Sequence, residues 1–176
     1  MRKVIYGGAC SLDGFLTDRS GGIDWLHYSK DVEEIMRQSW AHADTVLLGR
    51  KTWEWASSHA GPDDPSVANI KSYVFSRTLT SIPDKKAELV TGDAGGFVRK
   101  LKSKPGKDII VMSGGNFATS LLQAGVVDEI GLNIHPLLLG AGPPAFLDAG
   151  ARVNLELTEC RRLDGGCVFV RYAVKG

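Results

Sequence analysis

The sequence predicts an α/β domain of three layers, with a mostly parallel central sheet, an antiparallel C-terminal edge and helices on both faces. Three observations point there. Short apolar runs alternate with amphipathic segments through most of the chain, the pattern of strands joined by crossover helices. Two of those runs end in glycine immediately before a helical segment. The last two runs are separated by Asp164-Gly165-Gly166, a hairpin signal. At 176 residues the chain reads as one domain, 1–176, large enough to bury a core.

Val4 to Ala9 reads as a buried first strand, and Ser11 to Trp25 as a loop whose apolar residues have no period. Asp31 to His42 predicts a helix, with Val32, Ile35, Met36 and Trp40 at helical spacing and Ser29 placed to cap it. Asp44 to Leu48 is a second strand ending at Gly49, and Arg50 to Ala56 begins a short helix. Ser57 to Asn69, with Gly61-Pro62-Asp63-Asp64-Pro65, reads as a solvent loop. Ser72 to Ser76 and Ala87 to Val90 are strands, and Gly95 to Ser103 is a helix with Phe97, Val98 and Leu101 inward. Asp108 to Met112 is a strand, Phe117 to Ala124 its helix, and Asp128 to His135 the next strand. Pro136 to Gly150 is rich in glycine and proline. Val153 to Leu163 and Cys167 to Val174 close the chain as an antiparallel pair.

Composition narrows the function. Hydrophobic content of 43% and charged content of 23% are ordinary for a globular protein. A net charge of +1, without an aromatic-basic stripe, gives no electrostatic case for nucleic acid or an anionic membrane. No apolar stretch is long enough to span a bilayer, and the N-terminus enters a strand pattern without a signal-peptide core. Cys10, Cys160 and Cys167 form neither a disulfide framework nor a metal-ligand spacing. The expectation is a cytoplasmic protein with reduced thiols.

Three junctions carry the candidate chemistry. At Ser113-Gly114-Gly115-Asn116-Phe117 a buried strand feeds through two glycines into a helix. Unpaired N–H groups and the helix dipole there suit a phosphate or pyrophosphate. Gly49-Arg50-Lys51-Thr52 repeats the design, with two cations and a hydroxyl to meet phosphate charge. Ser76-Arg77-Thr78 ends a third strand. In a dinucleotide site an arginine there favours the 2′-phosphate of NADP. All three fall at the carboxyl ends of strands, where open α/β sheets bind ligands.

These segments, with Ser11-Leu12-Asp13-Gly14, Leu121-Leu122-Gln123-Ala124-Gly125-Val126-Val127-Asp128-Glu129 and Pro136-Leu137-Leu138-Leu139-Gly140-Ala141-Gly142, resemble the dihydrofolate reductase-like superfamily. The resemblance spans nearly the whole chain and is nearest to the reductase domain of the bifunctional riboflavin-biosynthesis deaminase-reductase. It implies a three-layer dihydrofolate reductase-like fold, a homodimer, and NADPH-dependent hydride transfer to a small heterocycle. Such a substrate is a pyrimidine intermediate of riboflavin biosynthesis or a pterin or dihydrofolate. It also implies that Gly49 to Thr52 and Ser76 to Thr78 hold the adenosine half of NADPH. Gly114 to Phe117 would then hold the pyrophosphate and border the nicotinamide, with the Ser11–Trp25 loop covering nicotinamide and substrate.

The superfamily places a substrate-anchoring carboxylate in the first helix. Counting back from Gly49 favours Glu33, counting forward from Trp25 favours a position nearer Asp31, and the register stays open. Asp13 is a separate candidate for substrate contact. The zinc deaminase pattern, His-x-Glu followed by Pro-Cys-x-x-Cys, is absent, so deamination is not expected. The competing reading is a non-catalytic nucleotide-binding or dimerisation module that keeps the fold. Phe146 and Leu147 are candidates for a subunit interface, Trp25 for the active-site loop, and Trp40 and one of Trp53 and Trp55 for the core.

Overall fold

A computed structural model of the chain describes residues 1–59, 69–83 and 86–176. The elements in chain order are β1 (Val4–Ser11), α1 (Lys30–Ala41), β2 (Ala43–Gly49), α2 (Arg50–His59), β3 (Lys71–Phe75) and β4 (Ala87–Val90). They continue with α3 (Ala94–Lys102), β5 (Asp108–Met112), α4 (Gly115–Gln123), β6 (Glu129–His135), β7 (Leu155–Arg162) and β8 (Val168–Val174). The eight strands form one sheet in the order β4-β3-β2-β5-β1-β6-β8-β7. From β4 to β6 every pairing is parallel. β8 runs antiparallel to both β6 and β7, so the predicted antiparallel edge is present.

Right-handed crossovers put α1 and α2 on one face of such a sheet and α3 and α4 on the other. The packing agrees. Val98 and Leu101 of α3 and Ala118 and Leu121 of α4 share a core with Tyr6, Leu47, Val111 and Ile130. Ile35 of α1 packs on the opposite face with Leu163, Cys167 and Phe169. Ser29 caps α1, its hydroxyl accepting from the Val32 N–H at 3.4 Å. No helix among the described residues is long and apolar enough to cross a membrane.

Several boundaries differ from the sequence reading. β1 runs on to Ser11 because its ladder with β6 continues to the Ser11–His135 pair. α2 extends through His59, taking in Ser57 and Ser58; the rest of the expected solvent loop, residues 60–68, lies outside the described residues. α4 begins at Gly115 rather than Phe117. Trp40 and Trp53 are half-buried, and Trp55 is exposed and stacked on His59, so none of the three is a fully buried core residue.

The edge at the amino ends of the parallel strands is tied by polar contacts. Buried Arg2 donates to the Lys107 carbonyl at 2.6 Å, to Thr45 Oγ1 at 2.6 Å, and to Asp44. Asp44 also accepts the Lys107 N–H at 2.8 Å. Asp128 accepts the Val4 N–H at 2.7 Å and pairs with Lys102. β1, β2, β5 and the entry to β6 are thus fixed at one edge, leaving the carboxyl edge to loops and helix starts.

Candidate functional site

A cleft of about 690 Å³ opens at the carboxyl edge of the parallel strands. Gly49, Arg50, Lys51, Thr52, Ser76, Arg77, Thr78, Ser113, Gly114, Gly115, Asn116 and Phe117 all line it. The three junctions singled out in the sequence therefore meet in one place. β2 and β3 are neighbours, β2 also pairs with β5, and all three strands end toward the same edge.

Each wall has a local cause. Gly49 ends β2 so close to β5 that a Cβ would run into Ser113 Oγ. Gly114 is the N-cap of α4, in extended conformation (φ −72°, ψ 168°) and with no side-chain cap. The first intrahelical bond goes from the Ala118 N–H to the Gly114 carbonyl, which leaves the first-turn N–H groups without intrahelical acceptors. Gly115 packs against backbone, since a Cβ there would meet the Pro144 carbonyl oxygen. Phe75 and Phe117, their ring centroids 4.6 Å apart, supply an apolar wall.

The charge is one-sided. Among the described residues, Arg50, Lys51 and Arg77 are in the lining and no carboxylate is. Arg50 bridges two walls, donating from Nε to Glu54 at 2.7 Å and from Nη1 to Thr78 Oγ1 at 3.1 Å. Lys51 and Arg77 have no ion pair among the described residues. Ser76 Oγ accepts the Thr78 and Leu79 N–H groups at 3.2 and 3.0 Å, turning the chain so that this segment wraps the cleft. Cations, hydroxyls and open helix N–H groups on one concave surface fit a molecule with several phosphates.

A family model described as the RibD C-terminal domain matches residues 2–169. The chain belongs to this family. It is 35% identical to the uncharacterized protein YyaP of Bacillus subtilis, over 99% of this chain and 96% of that one. Among solved structures, it is similar to a Shewanella sp. PV-4 protein with a provisional riboflavin-biosynthesis name, at 25% identity and a TM-score of 0.87, with 99% of each chain covered. It also shares its fold with dihydrofolate reductase from Enterococcus faecalis, solved as a complex with NADP(H). That match has 13% identity and a TM-score of 0.69, and covers 99% of this chain and 97% of the other. The three-layer fold expected from the resemblance is thereby shown.

In this RibD C-terminal domain protein the three candidate acids lie apart from the cleft lining. Asp31, in the first turn of α1, accepts the Asp164 N–H at 2.9 Å and so ties α1 to the β7–β8 turn. Asp13 accepts the Leu139 and Gly140 N–H groups at 3.1 and 2.8 Å and the Ser11 hydroxyl at 2.6 Å. The Ser11 hydroxyl, seconded by those two N–H groups, holds the Asp13 carboxyl below the usual range. Glu33 is exposed on α1, and its carboxylate has no partner among the described residues.

The Ser11–Trp25 loop is laced to the 136–150 segment. The Leu12 N–H donates to the Leu137 carbonyl, Leu16 to Pro143, and Ala145 to Gly14, at 2.8–2.9 Å. Pro143, Pro144 and Leu147 of that segment reach the cleft lining. They were not among the sequence candidates for cofactor binding: the sequence offered Leu147 for a subunit interface, and marked the segment by its glycine-proline density and the Pro136–Gly142 motif. Tyr6, almost fully buried, lies under this segment, its hydroxyl 3.3 Å from the Ala145 carbonyl, and burial pushes its pKa up.

His135 closes the other end of the loop. It is 2% exposed, accepts the His27 N–H at Nε2 (3.1 Å), and meets the Trp25 ring edge-on at 5.1 Å. Desolvation lowers its pKa, so the imidazole is held neutral. In sequence it read as a strand end before Pro136. It does end β6, and it also anchors the loop.

Proposed function

We propose that this chain is an NADPH-dependent reductase that transfers hydride to a small heterocyclic substrate, either a pyrimidine intermediate of the riboflavin type or a pterin or dihydrofolate. The observation that carries the reading is the convergence of Gly49–Thr52, Ser76–Thr78 and Ser113–Phe117 on one cationic cleft. Family membership and the likeness in fold to an NADP(H)-bound reductase support it.

When bound, NADPH supplies the hydride. Arg50, Arg77 and Lys51 would meet the adenosine-side phosphate, with Ser76 and Thr78 adding hydroxyl donors. The open N–H groups at the start of α4 would meet the pyrophosphate. The laced loops would exclude water from the reacting atoms. A proton must also reach the substrate. Of the three acids Glu33 is the one whose carboxylate holds no other group among the described residues, so the proton is assigned to Glu33 or to water.

Quenching of tryptophan fluorescence on titration with NADPH, with NADH alongside, tests the reading. Tight NADPH and weak NADH binding are expected. The double variant Arg50→Ala/Arg77→Ala should lose about tenfold or more in NADPH affinity, with little change for NADH. Equal loss for both cofactors would remove the 2′-phosphate assignment, and no binding of either would remove the reductase reading.

The placement of Asp13, Asp31 and Glu33 off the cleft lining favours one other reading, a nucleotide-binding module without turnover. NADPH binding with no oxidation across pyrimidine and pterin substrates would select it.

A further inference from the structure

β6 sends its side chains alternately to the two faces of the sheet. Ile130 and Leu132 join the core under α3 and α4. Gly131, Asn133 and His135 therefore face the α1 side. His135 has its partner there, but Asn133 does not. Asn133 is 8% exposed, and its Oδ1 is buried without a hydrogen-bond partner. Among the described residues its Nδ2 donates to nothing. Its neighbours in register, Ala9 on β1 and Phe169 on β8, have only apolar side chains. A buried carboxamide left unpaired costs free energy, and native folds rarely carry one without a reason.

Beside Asn133 the sheet is bare. Tyr6 faces α3 and α4, so Gly7 and Ala9 alternate with it: the α1 side of β1 carries Gly7 and Ala9. A Cβ at Gly7 would meet nothing nearer than the Gly131 carbonyl oxygen, at 3.9 Å. Gly7 and Ala9 are half-buried rather than sealed. Val32 and Ile35 of α1 pack farther out, on Leu163, Cys167 and Phe169. Phe169 leans over Gly131, its ring 3.5 Å from where a Cβ would stand. The outcome is a recess with a floor of Gly7 and Ala9 and a side of Phe169 and Asn133. His135 and the Trp25 ring set against it stand one step beyond Asn133. β1 also pairs with β5, whose end opens the Ser113–Phe117 junction, so the recess lies one strand from the cofactor cleft.

We propose that Asn133 is the residue that selects the acceptor, by reading a ring N–H that stands beside a ring carbonyl. The assignment rests on the reductase reading above and adds the edge that the acceptor must present. A carboxamide carries an acceptor and a donor side by side in one plane. Oδ1 would accept the ring N–H and Nδ2 would donate to the carbonyl, the two-bond match by which asparagine reads a heterocycle edge. Adjacent strands lie about 4.8 Å apart, so a flat ring laid on the Gly7–Ala9 floor meets the side chain rising from β6 edge to edge. An apolar residue at 133 would offer neither bond, and a carboxylate would offer acceptors alone.

NMR titration of the ¹⁵N-labelled full chain tests this with two probes. Quinazolin-4(3H)-one has one such edge, and its N3-methyl derivative has lost the N–H. The first should bind about tenfold or more tightly than the second. A role in the fold alone would not tell them apart. Asn133→Leu should weaken binding of quinazolin-4(3H)-one about tenfold or more, with a urea midpoint at or above that of the unmodified chain, because an unpaired polar group leaves the interior. Gly7→Val should keep the far-UV spectrum, since the space above Gly7 is open, and lose the probe. Should Asn133→Leu fail to fold, the Asn133 side-chain amide resonances of the unmodified protein carry the test. They should shift with quinazolin-4(3H)-one and stay in place with the methyl derivative. Equal affinity for the two probes, binding of neither, unchanged affinity in Asn133→Leu, or Asn133 resonances that do not respond would each overturn the assignment. NADPH is titrated separately. NADPH binding without probe discrimination removes Asn133 and keeps the reductase reading. Probe discrimination without NADPH binding keeps Asn133 as a ligand contact and removes the reductase reading.

Discussion

Gly114 and Gly115 are adjacent and identical, yet they do different work. A Cβ at Gly114 would meet nothing within 4 Å, and its φ of −72° suits any residue. A Cβ at Gly115 would overlap the Pro144 carbonyl and stand 3.3 Å from Ala145 backbone, which cannot rotate aside as a side chain can. Gly115→Ala should therefore destabilise the fold by about 1–3 kcal/mol and weaken NADPH binding, because the Pro143–Leu147 wall must move. Gly114→Ala should cost well under that. Urea denaturation of both variants, with cofactor titration, checks the contrast. The sequence showed that the pair opens a helix, since strand, glycine and helix are adjacent in the chain. Which glycine is obligatory depends on a segment nearly thirty residues away, beyond the reach of local pattern.

The loops behave as a linked pair rather than as separate elements. Asp13 and three backbone bonds join the Ser11–Trp25 loop to the 136–150 segment, and His135 holds its far end through the His27 N–H. His135 can accept that bond only while neutral. Burial depresses its pKa from 6.5, so below about pH 6.5 the unfolded chain takes up a proton that the folded chain resists. Its contribution to stability is full above pH 6.5 and is lost as the pH falls toward the folded-state value. Thermal unfolding from pH 7.5 to 5 should show a decline that is shallower in His135→Gln, whose carboxamide oxygen can accept without titrating. Little of this was legible in the sequence. The strand end at His135-Pro136 was, but its partners come from an aperiodic loop. The acids of α1 were visible too, but first-turn acids recur whatever side the helix presents, and the contact that places Asp31 is made with the β7–β8 turn.

Over the whole molecule, the two edges of the sheet divide the labour. At the amino edge Arg2, Asp44, Thr45, Lys107 and Asp128 join four strands, and at the carboxyl edge the cleft collects cations that have little to do with holding the fold. Arg2→Ala leaves Asp44 and Thr45 without their buried partner and should lower stability by about 2–4 kcal/mol, read as a shifted urea midpoint at constant slope. The architecture was readable because the alternation of strand and helix, and the Asp164-Gly165-Gly166 turn, are local signals. The exposure of Leu155 and Leu157 on β7 was not, because they alternate with polar residues as they would on any half-buried strand.

Such a division shapes how the protein responds to random change. Substitutions at the Arg2 edge would remove variants from the soluble fraction before their chemistry could be assayed. Those at Lys51 or Arg77 would survive into it with cofactor affinity altered and melting behaviour nearly untouched. A library sorted only by expression level would be blind to the cleft, and its surviving variants would form the pool from which altered cofactor choice could be selected without rebuilding the scaffold.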